Sequence, residues 1–258
     1  MYDLSIIIPT CNRADHLQRC LDTLQATVHC SHEIIVVNGA STDGTRGLLD
    51  HRQRLLGSRL TVIHEPRREG FVKAANKGFR AASGRNMTWL NDDARPLPGA
   101  FDLAVEQMDA APADLAFYAL FHRWHSARNV AFETTHAGQT YQLCHVRGTL
   151  YANFCVGRRD TFERLDYFDE RYFFYAADPD LSLKAWNAGM RVEPLFRAYV
   201  EHDEHGDERR DEDADRGRAD NEKLFAKWDL PPKNLALNDF NPANACTLRG
   251  LRSQAIAA

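Results

Sequence analysis

Apolar residues fall along the chain in short unbroken runs, separated by stretches where they recur at helical spacing. "LSIIIP", residues 4–9, predicts a buried strand closed by proline. Leu17, Cys20, Leu21 and Leu24 then recur at helical spacing and predict an amphipathic helix, with Asn12 or Asp15 as its cap. "EIIVV" (33–37) and "LTVI" (60–63) predict a second and a third strand. Between them "ASTDGT" (40–45) is a turn able to start a helix. "GFVKAANKGFRAASG" (70–84) predicts a helix with a glycine near each end. "MTWL" predicts a fourth strand, and it runs through Asn91 into two adjacent acids, Asp92 and Asp93. Strand and helix in strict alternation are the rhythm of a parallel α/β sheet. Ligands of such sheets gather beyond the carboxyl ends of the strands. "IPTCNR", "VNGAS" and "NDDA" all lie at such ends, so one ligand touched by three loops is expected.

Past a further helix at 101–108 the pattern loosens. "LAFYALFHRWH" and "CHVRGTLYANFCVGRRD" predict strands with loops between them. "DPDLSLKAWNAG" (178–189) predicts a helix with an acidic first turn and a glycine stop. "RVEPLF" predicts a last strand, placed at an edge by Pro194. Residues 201–216 hold nine acids and three arginines and read as a solvated, partly mobile stretch. "NEKLFAKWDLPP" predicts a short amphipathic helix stopped by prolines. The remaining tail, 229–258, has no clear pattern and reads as a loose end or a homodimer arm.

The 258 residues fit one large or two small domains, with 44% apolar and 26% charged residues. A formal net charge of −4 gives no sign of a nucleic-acid binder. No run reaches the ~20 apolar residues of a bilayer span. "MYDLSIII" has no basic start and no cleavage pattern, which predicts no signal peptide. Cys11, Cys20, Cys30, Cys144, Cys155 and Cys246 form no C-x-x-C pair and read as reduced thiols of a cytoplasmic protein. The expected location is the cytoplasm, with peripheral association at the inner face of the membrane as the alternative.

The twin acids are the sharpest chemical signal. Side by side they raise each other's cost of ionising. They can hold a divalent metal, work as an acid/base pair, or simply cap the next helix. Mg²⁺ or Mn²⁺ with a substrate phosphate fits the first use, since such ions take one or two carboxylates and leave other positions to phosphate. His122, His125, His136 and His145 have no zinc spacing and read as surface or satisfied polar residues. Trp124 and His125 could stack on a sugar face, whereas Trp186 sits at core spacing.

"SIIIPTCNR", "EIIVVNGASTDGT", "GFVKAANKG" and "WLNDDARP" occur in the order and at the spacing of the family 2 glycosyltransferases. Residues 154–192 resemble that family's acceptor-side segment, and "LFAKWDLP" resembles a tail found in many members. The resemblance implies a GT-A fold: a mixed, mostly parallel central sheet flanked by helices. It implies a single domain over 1–228, with a Rossmann-like nucleotide-sugar-binding half (1–98) and an acceptor-binding half (99–228). It also implies inverting transfer from a nucleotide-diphosphate sugar to a saccharide, glycolipid or small-molecule acceptor, with Mn²⁺ or Mg²⁺ as cofactor. Pro9, Thr10, Arg13, Asn38, Lys73 and Asp92 are then the nucleotide-sugar-binding residues. Asp93 is the direct metal ligand, joined by His202, with His205 as a rival. Asp178 is the catalytic base.

Two positions depart from the family pattern. Asn38 stands where an aspartate usually contacts the base, and Ala177 stands where an acid usually precedes the catalytic one. An asparagine donates as well as accepts, so a non-uridine donor is in view. Asp180 is read as a first-turn acid favouring the helix dipole, and less favourably as a stand-in for the lost acid. The alternative function these departures suggest is a catalytically degenerate protein that binds nucleotide sugars or a partner.

Overall fold

The computed structural model describes residues 1–123, 129–146, 148–203 and 213–229. The expectations for Trp124, His125, His205, Cys246 and the tail from 230 onward lie outside those residues. The elements in chain order are β1 (Leu4–Thr10), α1 (Ala14–Thr27), β2 (His32–Asn38), α2 (Thr45–Leu56), β3 (Leu60–His64), α3 (Phe71–Ala81), β4 (Asn86–Trp89) and β5 (Ala94–Pro96). There follow α4 (Ala100–Ala110), β6 (Leu115–His122), β7 (Val130–His136), β8 (Gln139–Val146), β9 (Thr149–Tyr151) and β10 (Cys155–Arg158). The chain continues through α5 (Arg159–Arg164), α6 (Ala177–Asn187), β11 (Arg191–His202) and α7 (Ala214–Trp228).

One sheet runs through the molecule in the order β3-β2-β1-β4-β10-β6-β11-β5, with β7, β8 and β9 branching from β6. β1, β2, β3 and β4 are mutually parallel, as are β6 and β11; β10 and β5 run against their neighbours. The expected mixed, mostly parallel sheet is therefore present. Both faces are covered, which is why the early strands read as solid apolar runs. Along β1 the side chains alternate between layers. Ile6 and Ile8 pack with Leu17 and Leu21 of α1, Leu49 of α2 and Phe101 of α4. Ile7 packs with Val72 and Phe79 of α3, Leu181 of α6 and Trp228 of α7. α3 lies close on β1 because Gly78 has no Cβ: one would stand 2.4 Å from Ile7 Cγ2.

Several local expectations need correction. Neither Asn12 nor Asp15 caps α1; the Asp43 carboxylate reaches across from the next strand-end loop and accepts the Ala14 N–H at 3.0 Å. Pro194 does lie on the part of β11 that pairs only with β6, but the strand runs on to His202, where β5 adds on its other side. Asp213, inside the stretch read as solvated, is buried between Arg68 and Arg216 and stands at the start of α7. His122 and His145 are both buried, and His145 is the satisfied polar residue expected, its Nδ1 accepting the Gly148 N–H at 3.1 Å. Trp186 does pack against the core.

Candidate active site

The first three loops meet because their strands end level. Thr10 stands opposite Asn38, Asn38 opposite His64, and Ile7 opposite Trp89 in the ladders. β4 continues through Leu90, whose N–H is accepted by Ile7 O, and the chain then turns at 91–94. That turn points Asp92 and Asp93 back over the end of β1. Both carboxylates are almost wholly buried.

Arg13, just past β1, resolves the repulsion between them. Its Nη1 lies 3.0 Å from Asp92 Oδ1 and 2.6 Å from Asp93 Oδ2. The Thr10 hydroxyl donates to Asp92 Oδ2 at 2.8 Å. His202 arrives from the far end of the chain because β11 pairs with β5, the strand that leaves the acid turn. The Asp203 N–H donates to Asp93 O, and Arg95 holds the Asp203 carboxylate from β5. Those bonds bring His202 Nε2 to 3.3 Å from Asp93 Oδ1 and 3.2 Å from the Asn91 amide. Burial would push the Asp93 carboxyl up, but His202 and Arg13 outweigh it and hold the group well below the usual carboxylate range. Burial pushes Asp92 the other way, upward, against the pull of Arg13. Arg13, although buried, is held even more firmly protonated by the two acids.

Thr10, Arg13, Asn91, Asp92 and Asp93 line an open cleft that also includes Pro9, Gly39, Glu65, Arg68, Phe71 and Phe174. Gly70 stands in its wall with φ +97°, and a Cβ there would lie 2.6 Å from Phe173 O, so only glycine fits.

The other named residues are placed as follows. Asn38 is buried just beneath the cleft; its Oδ1 accepts the Ser41 N–H at 3.1 Å and its Nδ2 lies 3.1 Å from His64 Nδ1. Lys73 does not line the cleft; its charge acts on Glu170, which Asn76 and Arg80 also bind, on another face of α3. The α3 lysine that reaches the cleft wall is Lys77, 2.6 Å from Glu65. Asp178 opens α6 and lies outside the cleft lining. Its Oδ2 accepts Asn153 Nδ2 at 2.5 Å, and burial pushes its carboxyl up to about 7. Asp180 stands in the first turn of α6, as expected of an acid favouring the helix dipole. It is fully buried and takes hydrogen bonds from Tyr172, Lys227 and Trp228, tying α6 to α7.

The two halves of the site meet at Phe154. Its ring packs edge-on against His202 at 5.5 Å, and its chain neighbour Asn153 holds Asp178. Sequence reasoning missed Asn153, Arg68, Glu65 and Phe174. Arg68 and Glu65 flank the "GFVKAANKG" motif, which was a usable signal, whereas Asn153 lies one residue outside the segment that carried the resemblance.

Among the described residues no trio of His, Cys, Asp and Glu side chains is grouped to hold a metal ion unaided. Asp93 and His202 are a hard oxygen and a borderline nitrogen donor in contact, a set suited to Mn²⁺ or Mg²⁺ whose remaining positions are filled by substrate oxygens and water. The residues therefore fit a shared, substrate-completed cation site.

Comparison with known proteins agrees with this geometry. The glycosyl transferase family 2 model matches residues 5–165. The glycosyltransferase EpsJ of Bacillus subtilis is 25% identical over 203 residues, covering 74% of this chain and 58% of its own. The mannosyltransferase PcManGT from Pyrobaculum calidifontis, solved with GDP-Man and Mn²⁺, superposes with a TM-score of 0.67 at 21% identity, over 88% of this chain and 64% of its own. TarS from S. aureus, solved with UDP-GlcNAc, superposes with a TM-score of 0.60 at 20% identity, over 79% and 59%. The matches span about a third to three fifths of the length of the curated relatives.

Proposed function

The chain belongs to glycosyl transferase family 2, and from that premise we propose that it moves a sugar from a nucleotide-diphosphate donor to an acceptor hydroxyl with inversion. The observation that carries this reading is the buried Asp92–Asp93 pair, clamped by Arg13 and reached by His202, in a cleft at the strand ends. Neighbours of the same fold were solved with a nucleotide sugar, in one case with Mn²⁺.

Asp93 and His202 would hold the cation, with Asp92 behind them on Thr10 and Arg13. A divalent ion bound there supplies Lewis-acid neutralisation of the diphosphate leaving group. Thr10 and Pro9 line the nucleotide side of the cleft, and Arg68 offers a further positive charge to a phosphate. Asp178 takes the proton of the acceptor hydroxyl, whose oxygen attacks the anomeric carbon opposite the diphosphate. A carboxyl titrating near 7 is suited to that task at neutral pH. This basicity favours an enzyme over the catalytically silent binder that Asn38 and Ala177 bring to mind. The acceptor is a saccharide, glycolipid or small molecule. No helix among the described residues is long and apolar enough to cross a membrane.

The test measures nucleoside diphosphate released from GDP-mannose and UDP-N-acetylglucosamine with Mn²⁺, with and without a panel of nitrophenyl glycosides. Melting-point shifts with the same ligands are read in parallel. Turnover that needs the metal and is lost in Asp93→Ala is expected. Full turnover in Asp93→Ala would refute the site.

A further inference from the structure

The loop between β9 and β10 is fastened to the first turn of α6 at two points. Ser182 Oγ accepts the Ala152 N–H at 3.2 Å and donates to Asp178 O at 3.1 Å, so one hydroxyl ties the backbones together. The next residue, Asn153, then donates its amide N–H to Asp178 Oδ2 at 2.5 Å. That contact fixes the amide's orientation, since turning it over would set Oδ1 against the carboxylate. The other end of the amide is the unusual feature: Asn153 Oδ1 is buried and has no hydrogen-bond partner among the described residues. Buried acceptors are rarely left so, and one beside a reactive carboxylate asks for a ligand donor.

Resting on the reading of Asp178 as base, we propose that Asn153 is its positioning residue: the amide N–H aims the carboxylate, and Oδ1 receives a hydroxyl of the incoming acceptor. In the step, the acceptor O–H proton passes to Asp178. The oxygen's electron pair forms the new bond to the anomeric carbon, and the old bond's pair leaves with the diphosphate. Asn153 exchanges no proton and acts by geometry.

The groups facing Asp178 make the consequence readable. Cys155 and Tyr151 sense its charge, and both are kept neutral by burial in the first place, with that charge adding to the effect. Burial sets the carboxyl high, while its own backbone N–H and Asn153 pull it back. Among the described residues Asn153 is thus the side chain that favours the ionised form.

The decisive measurement is a ¹³C NMR titration of the Asp178 carboxyl, assigned with Asp178→Asn, in the full chain and in Asn153→Ala and the isosteric Asn153→Asp. The midpoint should rise in the alanine variant and rise further in the aspartate one, where a like charge replaces a donor. A midpoint that stays put or falls in both variants overturns the proposal. With the Mn²⁺ donor assay, kcat should fall ten- to a hundredfold in Asn153→Ala. The acid limb of its pH profile should move up, with donor KM unchanged. A loss confined to donor KM would also overturn it. If Asp178→Asn keeps full turnover, the base assignment fails instead, and the titration result stands apart from it.

Discussion

Asp93 and Asp178 are the same residue type, the first buried and the second partly so, and their proton affinities diverge in opposite directions. At the end of β4 two acids crowd together, yet Asp93 is held far below the usual range by His202 and Arg13 against the push of burial. At the start of α6 one acid stands with no cation among the causes of its shift, only amide donors, and burial carries it to about 7. Burial alone therefore does not decide what a carboxylate does; the charge of its neighbours does. The first arrangement keeps negative charge permanently available, as a cation site needs. The second keeps a carboxylate that both accepts and releases a proton at neutral pH, as a base needs. Asp180 adds a third case two residues from Asp178: with Lys227 and Trp228 on its oxygens, it is consigned to holding α7.

The comparison breaks most visibly at Asp178. Asp178→Asn removes the proton acceptor and should lower transfer by ~10²–10⁴-fold. The same change should stabilise the fold at alkaline pH. Because the folded carboxyl binds its proton more tightly than the unfolded one, whose midpoint is near 3.9, wild-type stability declines as pH rises from about 4 to about 7 and is flat above. Asparagine carries no such penalty. Chemical denaturation at pH 8 should show the variant more stable by about 2–4 kcal/mol, a gap that closes near pH 4. Equal stability at both pH values would mean that Asp178 is not desolvated as described.

Arg13→Met strikes the other region. It leaves two carboxylates buried together without their shared cation, and breaking such a pairing typically costs ~3–5 kcal/mol. The sign with pH is opposite to that at Asp178. The depressed Asp93 contributes stability present above its unfolded midpoint, and Arg13 is part of its cause. Without Arg13 the carboxyls protonate more readily, so the gap from wild type should be largest near pH 7.5 and shrink towards pH 4.5. Millimolar Mn²⁺ should restore part of the melting point at pH 7.5. A loss independent of pH and of the metal would show that Arg13 serves packing alone.

How far the sequence disclosed these two regions follows the same division. β1, β2 and β4 were legible because strands covered on both faces must be apolar throughout, and edge strand β3 still showed a short apolar run. Their level ends put Thr10, Arg13, Asp92 and Asp93 within reach of one ligand. What escaped was everything that depends on distant pairing. β5 is three residues with an arginine in the middle, and it exists because β11 returns to it. β7 is half exposed on every side and shows no alternation to read. The tie that Asp180 makes to α7 escaped because the lysine that claims it lies far along the chain. Asp43 caps a helix that precedes it. Lys73 and Lys77 are a turn apart on α3, and their neighbours, not their spacing, decide which one meets the cleft. His202 was reachable only through family resemblance, since no local pattern marks a histidine at the end of a strand.

The finest distinction between the regions concerns the donor's base, at Asn38. The Ser41 N–H occupies Asn38 Oδ1, so the amide nitrogen is the end turned toward His64 Nδ1. His64 then accepts at Nδ1 and carries its proton on Nε2. The ends of β2 and β3 thus present N–H donors where a carboxylate would present an acceptor. The imide N–H of uracil finds no acceptor there, while the unprotonated ring nitrogen N3 that cytosine offers at the same position finds a donor. Asn38→Asp keeps the bond to Ser41 and swaps the donor for an acceptor without changing shape. It should move preference toward uridine diphosphates by about tenfold, roughly the 1.5 kcal/mol of one charged hydrogen bond. Calorimetry with UDP, CDP and GDP on both proteins, with Mn²⁺ present, measures it. The ratio of UDP to CDP affinity should rise in the variant while Asp178's titration stays where it was. An unchanged ratio would place the base beyond the reach of Asn38 and assign its recognition to another wall of the cleft.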